Sequence, residues 1–99
     1  MRDDTHRYLV AYDVPSDRRR SQLAKILSTY GDRIQYSVFL VDAAQAKLIR
    51  LRDRIRGLIQ HDEDSVLICD LGLLTQVDSN AFTVLGRTRP ITGTDSLVV

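Results

Sequence analysis

The sequence has no tryptophan, and among its 99 residues it has one cysteine, two prolines and five glycines. A single cysteine, Cys69, excludes an internal disulfide framework and is typical of a reducing compartment. Its surroundings, SVLICDL, are mostly apolar, so we interpret Cys69 as a buried packing thiol rather than a nucleophile. Few prolines and glycines beside 43% hydrophobic residues exclude a disordered chain and predict a globular fold.

Long hydrophobic runs are also missing. No apolar run approaches the roughly 20 residues that a membrane-spanning helix needs. The first eight residues, MRDDTHRY, are polar and lack the apolar stretch of a secretion signal. We therefore expect a cytoplasmic protein with no membrane partner. The length predicts a single domain, residues 1–99, and its modest core makes a homodimer a reasonable expectation.

Several motifs of catalytic and binding sites are absent from the sequence. It contains no glycine-rich phosphate loop, no HExxH, no CxxC and no nucleophile elbow. The acidic cluster in QHDEDS is interpreted as a solvated loop, because consecutive side chains in a loop diverge. The aromatic motif of single-strand RNA binders is also missing. We interpret Tyr36 and Phe39 as core residues, with base stacking as the alternative.

The net charge of +1 hides a segregation along the chain. From Arg18 to Arg56 there are ten basic residues and three acidic ones, a net charge of +7. From Asp62 to the C-terminus there are two basic residues and six acidic ones, a net charge of −4. Such a basic middle is typical of a face that binds a polyanion, and two solvated helix faces are the alternative.

Apolar periodicity predicts alternating strands and helices, with turn residues between them. This order predicts an α+β sandwich with two helices on one face of a sheet. The predicted elements are strand Tyr8–Tyr12, a helix that starts at Ser16 and stops at Gly31, strand region Ile34–Val41, a helix capped by Asp42, strand Ser65–Leu71, and an edge strand within AFTVLGRTRP.

Asp13 ends the first strand, and Arg18, Arg19 and Arg20 follow at a helix start, where acidic residues are usually favoured. One role for Asp13 is to accept backbone N–H bonds in the turn. The other role is a metal ligand, for which one carboxylate looks insufficient. A two-fold dimer would place Asp13 opposite its symmetry mate and make a two-carboxylate site. Both roles stay open at this point.

Three segments occur in the order YDVPSDRRR, YGDRIQYSVF and DSVLICDL. Their order and spacing together are a more specific family signal than any one segment alone. Together they resemble the CRISPR-associated protein two family, the small subunit of the CRISPR adaptation machinery. The resemblance covers roughly Tyr8–Leu71. It is weak beyond Leu71, where it rests on AFTVLGRTR as a terminal strand.

The resemblance implies a ferredoxin-like βαββαβ sandwich with an additional C-terminal edge strand, in a homodimer. Its core would span about residues 8–71, and the segment of about residues 81–99 would complete the partner's sheet. In that fold the region Ile34–Val41 would break into two strands, which the periodicity does not indicate. The resemblance also implies a role in spacer acquisition, with the dimer bridging CRISPR integrase dimers around DNA.

The resemblance further implies site residues. Asp13 matches the family's metal-binding aspartate, for Mg²⁺ with Mn²⁺ as a substitute, and Tyr12 matches the aromatic residue before it. Arg20, Arg33 and Phe39 match positions linked to activity or substrate contact. Some relatives carry a further basic residue where this chain has Gln22. With Arg18 and Arg19, the arginines Arg20 and Arg33 are predicted to contact the nucleic-acid backbone.

Three functions are consistent with these residues. The first is a CRISPR adaptation subunit that is also a metal-dependent endonuclease, cleaving single-stranded RNA or double-stranded DNA. The second is a non-catalytic bridge for nucleic acid in the integrase complex, in which Asp13 only shapes the dimer interface. The third, less favoured, is an RNA-cleaving toxin of the same fold.

Overall fold

A computed structural model describes residues 4–78 and 81–88. Its elements follow the order strand, helix, two strands, helix, strand and a short 3₁₀ turn. They are β1 (His6–Asp13), α1 (Asp17–Ser28), β2 (Gly31–Gln35), β3 (Val38–Ala43), α2 (Gln45–Leu58), β4 (Ser65–Leu73) and the 3₁₀ turn Leu74–Gln76.

The four strands form one sheet in the order β2-β3-β1-β4, and every neighbouring pair is antiparallel. β1 is therefore central, with β3 on one side and β4 on the other. Leu9 of β1, for example, lies opposite Leu40 of β3 and Cys69 of β4. The predicted α+β sandwich of ferredoxin-like type is confirmed.

One face of the sheet packs against both helices. Side chains of a strand alternate between faces, so every second residue of β1 points to the helices. Tyr8, Val10 and Tyr12 are accordingly buried, as are Phe39 and Val41 of β3. From the helices they meet the apolar stripes of α1 and α2, which consist of Leu23, Leu27, Leu51 and Ile55.

The two helix starts differ in their caps. Ser16, which the sequence predicted as the start of this helix, caps α1, because its hydroxyl accepts a hydrogen bond from the backbone N–H of Arg19 at 3.2 Å. The prediction that Asp42 caps α2 is wrong. Ala44 stands at that cap without a side-chain hydrogen bond. Asp42 instead lies within β3 and accepts two hydrogen bonds from Arg7, at 2.7 and 2.9 Å.

The second strand region is two strands, as the resemblance implied and as the periodicity missed. Tyr36 and Ser37 form the turn between β2 and β3. Gly31 is also not the helix stop, because α1 ends at Ser28 and Gly31 opens β2. A Cβ at Gly31 would lie 2.0 Å from the carbonyl oxygen of Leu40, so this strand pairing requires glycine.

No helix covers the opposite face of the sheet among the described residues. Leu9 and Ala11 of β1 point to this face, as do Leu67 and Cys69 of β4, by alternation with their buried neighbours. Leu67 is 60% exposed and Cys69 is exposed. The prediction of a buried Cys69 is therefore wrong for the single chain. We name these four residues the open face.

Beyond the 3₁₀ turn, residues 81–88 form no β-strand in the single chain. Residues 89–99, the rest of the segment that the resemblance implies would complete the partner's sheet, lie outside the described residues. Completion of a partner's sheet by this segment stays a prediction. Neither helix of the described part is long and apolar enough to cross a membrane.

Candidate active site

Tyr12 and Asp13 end the central strand and point to opposite faces of the sheet. Tyr12 is 7% exposed and packs in the core, whereas Asp13 is exposed on the side of the open face. Within the described residues, the Asp13 carboxylate takes part in no hydrogen bond or ion pair. The turn role considered for Asp13, accepting backbone N–H bonds, is thus not seen in the structure.

Arg33 lies inside an aromatic cluster beside Tyr12. Its guanidinium carbon is 5.2 Å from the ring centre of Phe39 and 5.6 Å from that of Tyr36. One of its terminal nitrogens donates to the Tyr12 hydroxyl at 3.4 Å, while its buried Nε has no partner in the described structure. Cation–π attraction is strongest where water is excluded, so the cluster holds Arg33 in place.

The rings of this cluster also support one another. Tyr12 and Phe39 stack with ring centres 6.3 Å apart, and Phe39 is completely buried. Buried in this way, Phe39 can position Arg33 but cannot touch a ligand in this conformation. The Tyr12 hydroxyl donates to the backbone oxygen of Tyr36 at 3.4 Å, and the Tyr12 N–H donates to that of Ser37 at 3.1 Å.

Arg20 joins the start of α1 to the same region. It donates to the backbone oxygens of Val14, at 2.9 Å, and Pro15, at 3.4 Å, and it pairs with Asp17. The hydrogen bond to Asp17, and then the interaction with the nearby Tyr36 hydroxyl, raise the pKa of Arg20. Arg20 therefore stays protonated, with a fixed guanidinium next to the turn between β2 and β3.

Arg18 and Arg19, the two other arginines predicted to contact nucleic acid, differ in their ion pairing. Arg18 is exposed. Arg19 makes a two-pronged ion pair with Asp64, at 2.7 and 3.0 Å, and a further contact of 3.2 Å with Glu63. The hydrogen bonds from Arg19 hold the pKa of Asp64 below its ordinary value. Arg19 thus ties α1 to the loop before β4, and its charge is already neutralised there.

Part of that loop differs from the prediction. His61 and Asp62 are exposed, as expected for a solvated loop. Asp64 is not solvated, since its side chain is fully buried and also accepts from the backbone N–H of Gln60 at 2.8 Å. Within the described residues, no group of three or more His, Cys, Asp or Glu side chains could hold a metal ion.

Helix α2 presents a second set of cations, Lys47, Arg50 and Arg54, spaced three and four residues apart on one side. None of them makes an ion pair within the described part of the chain. Lys47 and Arg54 lie 5.6 and 5.9 Å from the ring centre of Tyr30, at the end of α1. We call Lys47, Arg50 and Arg54 the α2 cationic face.

The structure thus brings four predicted site residues, Tyr12, Arg20, Arg33 and Phe39, around one turn. Asp13 adjoins this cluster along the chain but faces the other side of the sheet. The interpretation of Tyr36 as a core residue is wrong, because Tyr36 is exposed and lies against the guanidinium of Arg33. The signal was present in YGDRIQYSVF, where Tyr36 and Ser37 interrupt the apolar run.

The comparisons with known proteins identify the family of this chain. A family model described as CRISPR associated protein Cas2 matches residues 6–75. The chain is 45% identical over 73 residues to a Synechocystis protein named CRISPR-associated endoribonuclease Cas2 3, covering 72% of this chain and 79% of that one. It is 38% identical over 60 residues to a Thermus thermophilus protein named CRISPR-associated endoribonuclease Cas2. That match covers 61% of this chain and 64% of the relative, slightly less than two thirds of its length.

Solved structures agree with both the fold and the family. A hypothetical protein from Thermus thermophilus superposes with a TM-score of 0.75 at 34% identity, covering 88% of this chain and 98% of that one. The crystal structure of Streptococcus pyogenes Cas2 superposes with a TM-score of 0.71 at 29% identity, covering 81% and 99%. The family match spans most of the chain, from the first strand to the 3₁₀ turn. The chain therefore belongs to the Cas2 family of CRISPR-associated proteins.

Proposed function

We propose that this chain is a homodimeric CRISPR adaptation subunit that binds nucleic acid and hydrolyses its phosphodiester bonds with Mg²⁺. The observation that carries the proposal is the exposed Asp13 carboxylate, which has no partner among residues 4–78 and 81–88 and directly follows Tyr12 of the arginine-containing cluster in the chain. Relatives named as endoribonucleases support it. In spacer acquisition the dimer would bridge CRISPR integrase dimers around DNA, as the sequence resemblance implies.

The donor set fits Mg²⁺ only in a dimer. One chain offers a single exposed carboxylate, and Mg²⁺ is usually held by one or two carboxylates together with waters and substrate phosphates. Asp13 lies on the side of the open face, so two copies joined through that face would bring Asp13 and Asp13 of the partner subunit together. These two carboxylates would hold the ion, and Mn²⁺ would fit the same oxygen ligands.

Bound there, the ion would activate a water molecule and offset the charge that develops on the phosphate. The protein supplies the positioning. A guanidinium fork matches two phosphate oxygens, and Arg20 is charged and partly exposed at the turn. Arg33 contributes positive potential from within its aromatic cluster. The water oxygen would bond to phosphorus as the bond to the leaving sugar oxygen breaks, and the proton that the water gives up to solvent would be balanced by the proton that the leaving oxygen takes from it.

A non-catalytic bridge is the second candidate, and specific observations favour it. Arg19 is already neutralised by Asp64, Arg20 is paired with Asp17, and Phe39 is completely buried. Gln22 also replaces a basic residue that some relatives carry. The test is purified protein on labelled RNA and DNA strands, with Mg²⁺ or with chelator. Cleavage only with Mg²⁺ supports the nuclease, and binding without cleavage supports the bridge.

We expect binding to be electrostatic and independent of sequence. The segment from Arg18 to Arg56 carries ten basic residues and contains no motif that reads bases. Affinity for a labelled strand should fall at least about ten-fold between roughly 50 and 200 mM salt, because the release of counterions on binding is less favourable at the higher salt concentration. Fluorescence anisotropy across a salt series measures this directly. A flat salt response, or strong preference for one sequence, would contradict the proposal.

The α2 cationic face offers a matched pair of variants for the same assay. Arg54→Gln removes a cation that makes no ion pair among the described residues, so it should weaken binding and reduce the salt slope by about one. Arg56→Gln is the control, since Arg56 lies 3.7 Å from Asp53 on the same helix and is already partly neutralised. Equal losses in the two variants would show that this face has no special role.

We expect a homodimer in solution, formed by the open face and the segment after Ala81. Leu67→Glu places a charge on that face and should convert the dimer to monomer, because burying an unpaired charge is costly. Ile49→Glu is the control, since Ile49 is also an exposed apolar residue but lies on α2. Light scattering at micromolar concentration measures the mass. A monomeric wild type, or a chain truncated at Asp78 that remains equally dimeric, would contradict this assembly.

A further inference from the structure

Tyr36 is the most exposed aromatic side chain among residues 4–78 and 81–88, with 63% of its surface accessible. The other tyrosines and phenylalanines of that part are buried or half-buried. An exposed aromatic ring has an unfavourable contact with water, and on most surfaces such a ring is free to turn. Tyr36 is instead held in place from three directions.

The first restraint is Arg33, whose guanidinium lies over the Tyr36 ring at 5.6 Å from its centre. Arg33 is itself fixed, since it also lies over the buried ring of Phe39 and donates to the Tyr12 hydroxyl. The second restraint is Arg20, which lies close enough to the Tyr36 hydroxyl for their interaction to raise the pKa of Arg20. Two cations therefore flank one exposed ring.

The third restraint is the backbone. Tyr36 lies in a two-residue turn, and the Tyr12 side chain and backbone N–H donate to the carbonyl oxygens of Tyr36 and Ser37. The turn is thus attached to the residue that precedes Asp13. A ring fixed in this way loses little freedom when a flat group packs on it.

A rigid, exposed aromatic ring with guanidinium groups beside it matches a nucleotide with an unpaired base. The base stacks on the ring, and the neighbouring cations attract the phosphates on either side of that base. A duplex cannot use the ring in this way, because its bases already stack on one another inside the helix. Contacts with phosphates, by contrast, can form with a single strand or with a duplex, since both carry phosphates.

We propose that Tyr36 is a stacking platform for an unpaired base and gives this protein a preference for single-stranded nucleic acid. This inference rests on the proposed nucleic-acid binding and goes beyond it by naming the residue through which the protein would distinguish a single strand from a duplex. Tyr36 acts in binding and positioning. The hydrolytic role stays with Asp13.

The test compares three labelled probes of about twelve nucleotides: a single strand, its duplex, and a single strand with abasic sites. Binding of each is measured for the wild type, Tyr36→Ala and Tyr36→Phe at one salt concentration. Tyr36→Phe keeps the ring and removes only the hydroxyl that Arg20 contacts. Circular dichroism confirms that each variant is folded.

We expect Tyr36→Ala to weaken binding of the single strand about 5- to 100-fold, with changes below about two-fold for the duplex and the abasic strand. Tyr36→Phe should stay within about three-fold of the wild type on the single strand. Equal weakening on all three probes would overturn the proposal, because it indicates lost charge contacts. Unchanged single-strand binding in Tyr36→Ala would also overturn it while leaving the proposed function intact. A wild type that binds none of the probes would refute the proposed function as well.

Discussion

We expect Asp13→Asn to reduce Mg²⁺-dependent cleavage about 100-fold or more, while the dimer in chelator stays as stable as the wild type or becomes slightly more stable. Asparagine has nearly the same shape but carries no negative charge, so it loses most of its affinity for a hard cation. Losing an ion that activates water and offsets phosphate charge removes several kcal/mol of transition-state stabilisation. Without metal, two adjacent carboxylates repel each other, and the amide relieves that repulsion.

The measurement is the cleavage rate of a labelled strand with Mg²⁺, beside the melting temperature in chelator for the same preparation. Asp62→Asn is the matched control, because Asp62 is an exposed carboxylate in the loop before β4. Cleavage that persists in Asp13→Asn would assign the activity to another site or to a contaminant. Dissociation of the Asp13→Asn dimer would show that Asp13 is structural.

The second large effect is expected from Asp42→Ala, which should lower the free energy of unfolding by about 3 kcal/mol. The Arg7 side chain is 5% exposed, and its two hydrogen bonds to Asp42 satisfy a charge that has little access to water. Those bonds raise the pKa of Arg7 in the folded wild type. An arginine keeps its proton at neutral pH even without them, so Arg7 does not escape the cost by becoming neutral. Removal of Asp42 leaves a buried cation without its partner.

For a domain of this size, that loss corresponds to a melting temperature roughly 15 °C lower. Denaturant unfolding at fixed protein concentration measures the free energy. Asp53→Ala is the control, since the Arg56–Asp53 pair is exposed and 3.7 Å long, and its loss should cost less than about 1 kcal/mol. A loss below about 1 kcal/mol in Asp42→Ala would mean that solvent or another group compensates Arg7.

Local patterns predicted most of the fold. The spacing of apolar residues located β1, β4 and both helices, and Pro15 and Ser16 marked the start of α1. The split of the second strand region was missed by the periodicity because the turn at Tyr36 and Ser37 contains neither glycine nor proline. Only the family resemblance indicated that break.

Contacts between distant parts of the chain were not predictable from the sequence. Asp42 precedes the apolar stripe of a helix, a position that is typical of a cap. Its partner Arg7 lies 35 positions earlier in the sequence and opposite Asp42 on the neighbouring strand β1. Asp64 was assigned to a solvated loop because nothing nearby indicates Arg19, 45 positions away. Both assignments depend on strand order and register, which local spacing does not encode.

The surroundings of Cys69 show a similar limit. A continuous apolar segment usually indicates a strand buried on both faces. β4 is instead an edge strand of this sheet, with helices on one side only. The apolar sequence of residues 65–71 therefore indicates that burial of both faces of β4 would be favourable. It does not indicate which element or partner covers the second face.

The open face has a consequence for how this protein behaves on dilution. If two copies cover Leu67 and Cys69, folding and association form one linked equilibrium, and mass action makes the melting temperature depend on protein concentration. The single thiol then reports that equilibrium, because a reagent in solution reaches Cys69 only in separated chains. Its rate of alkylation would rise as the solution is diluted, so the sequence carries a built-in indicator of its own assembly.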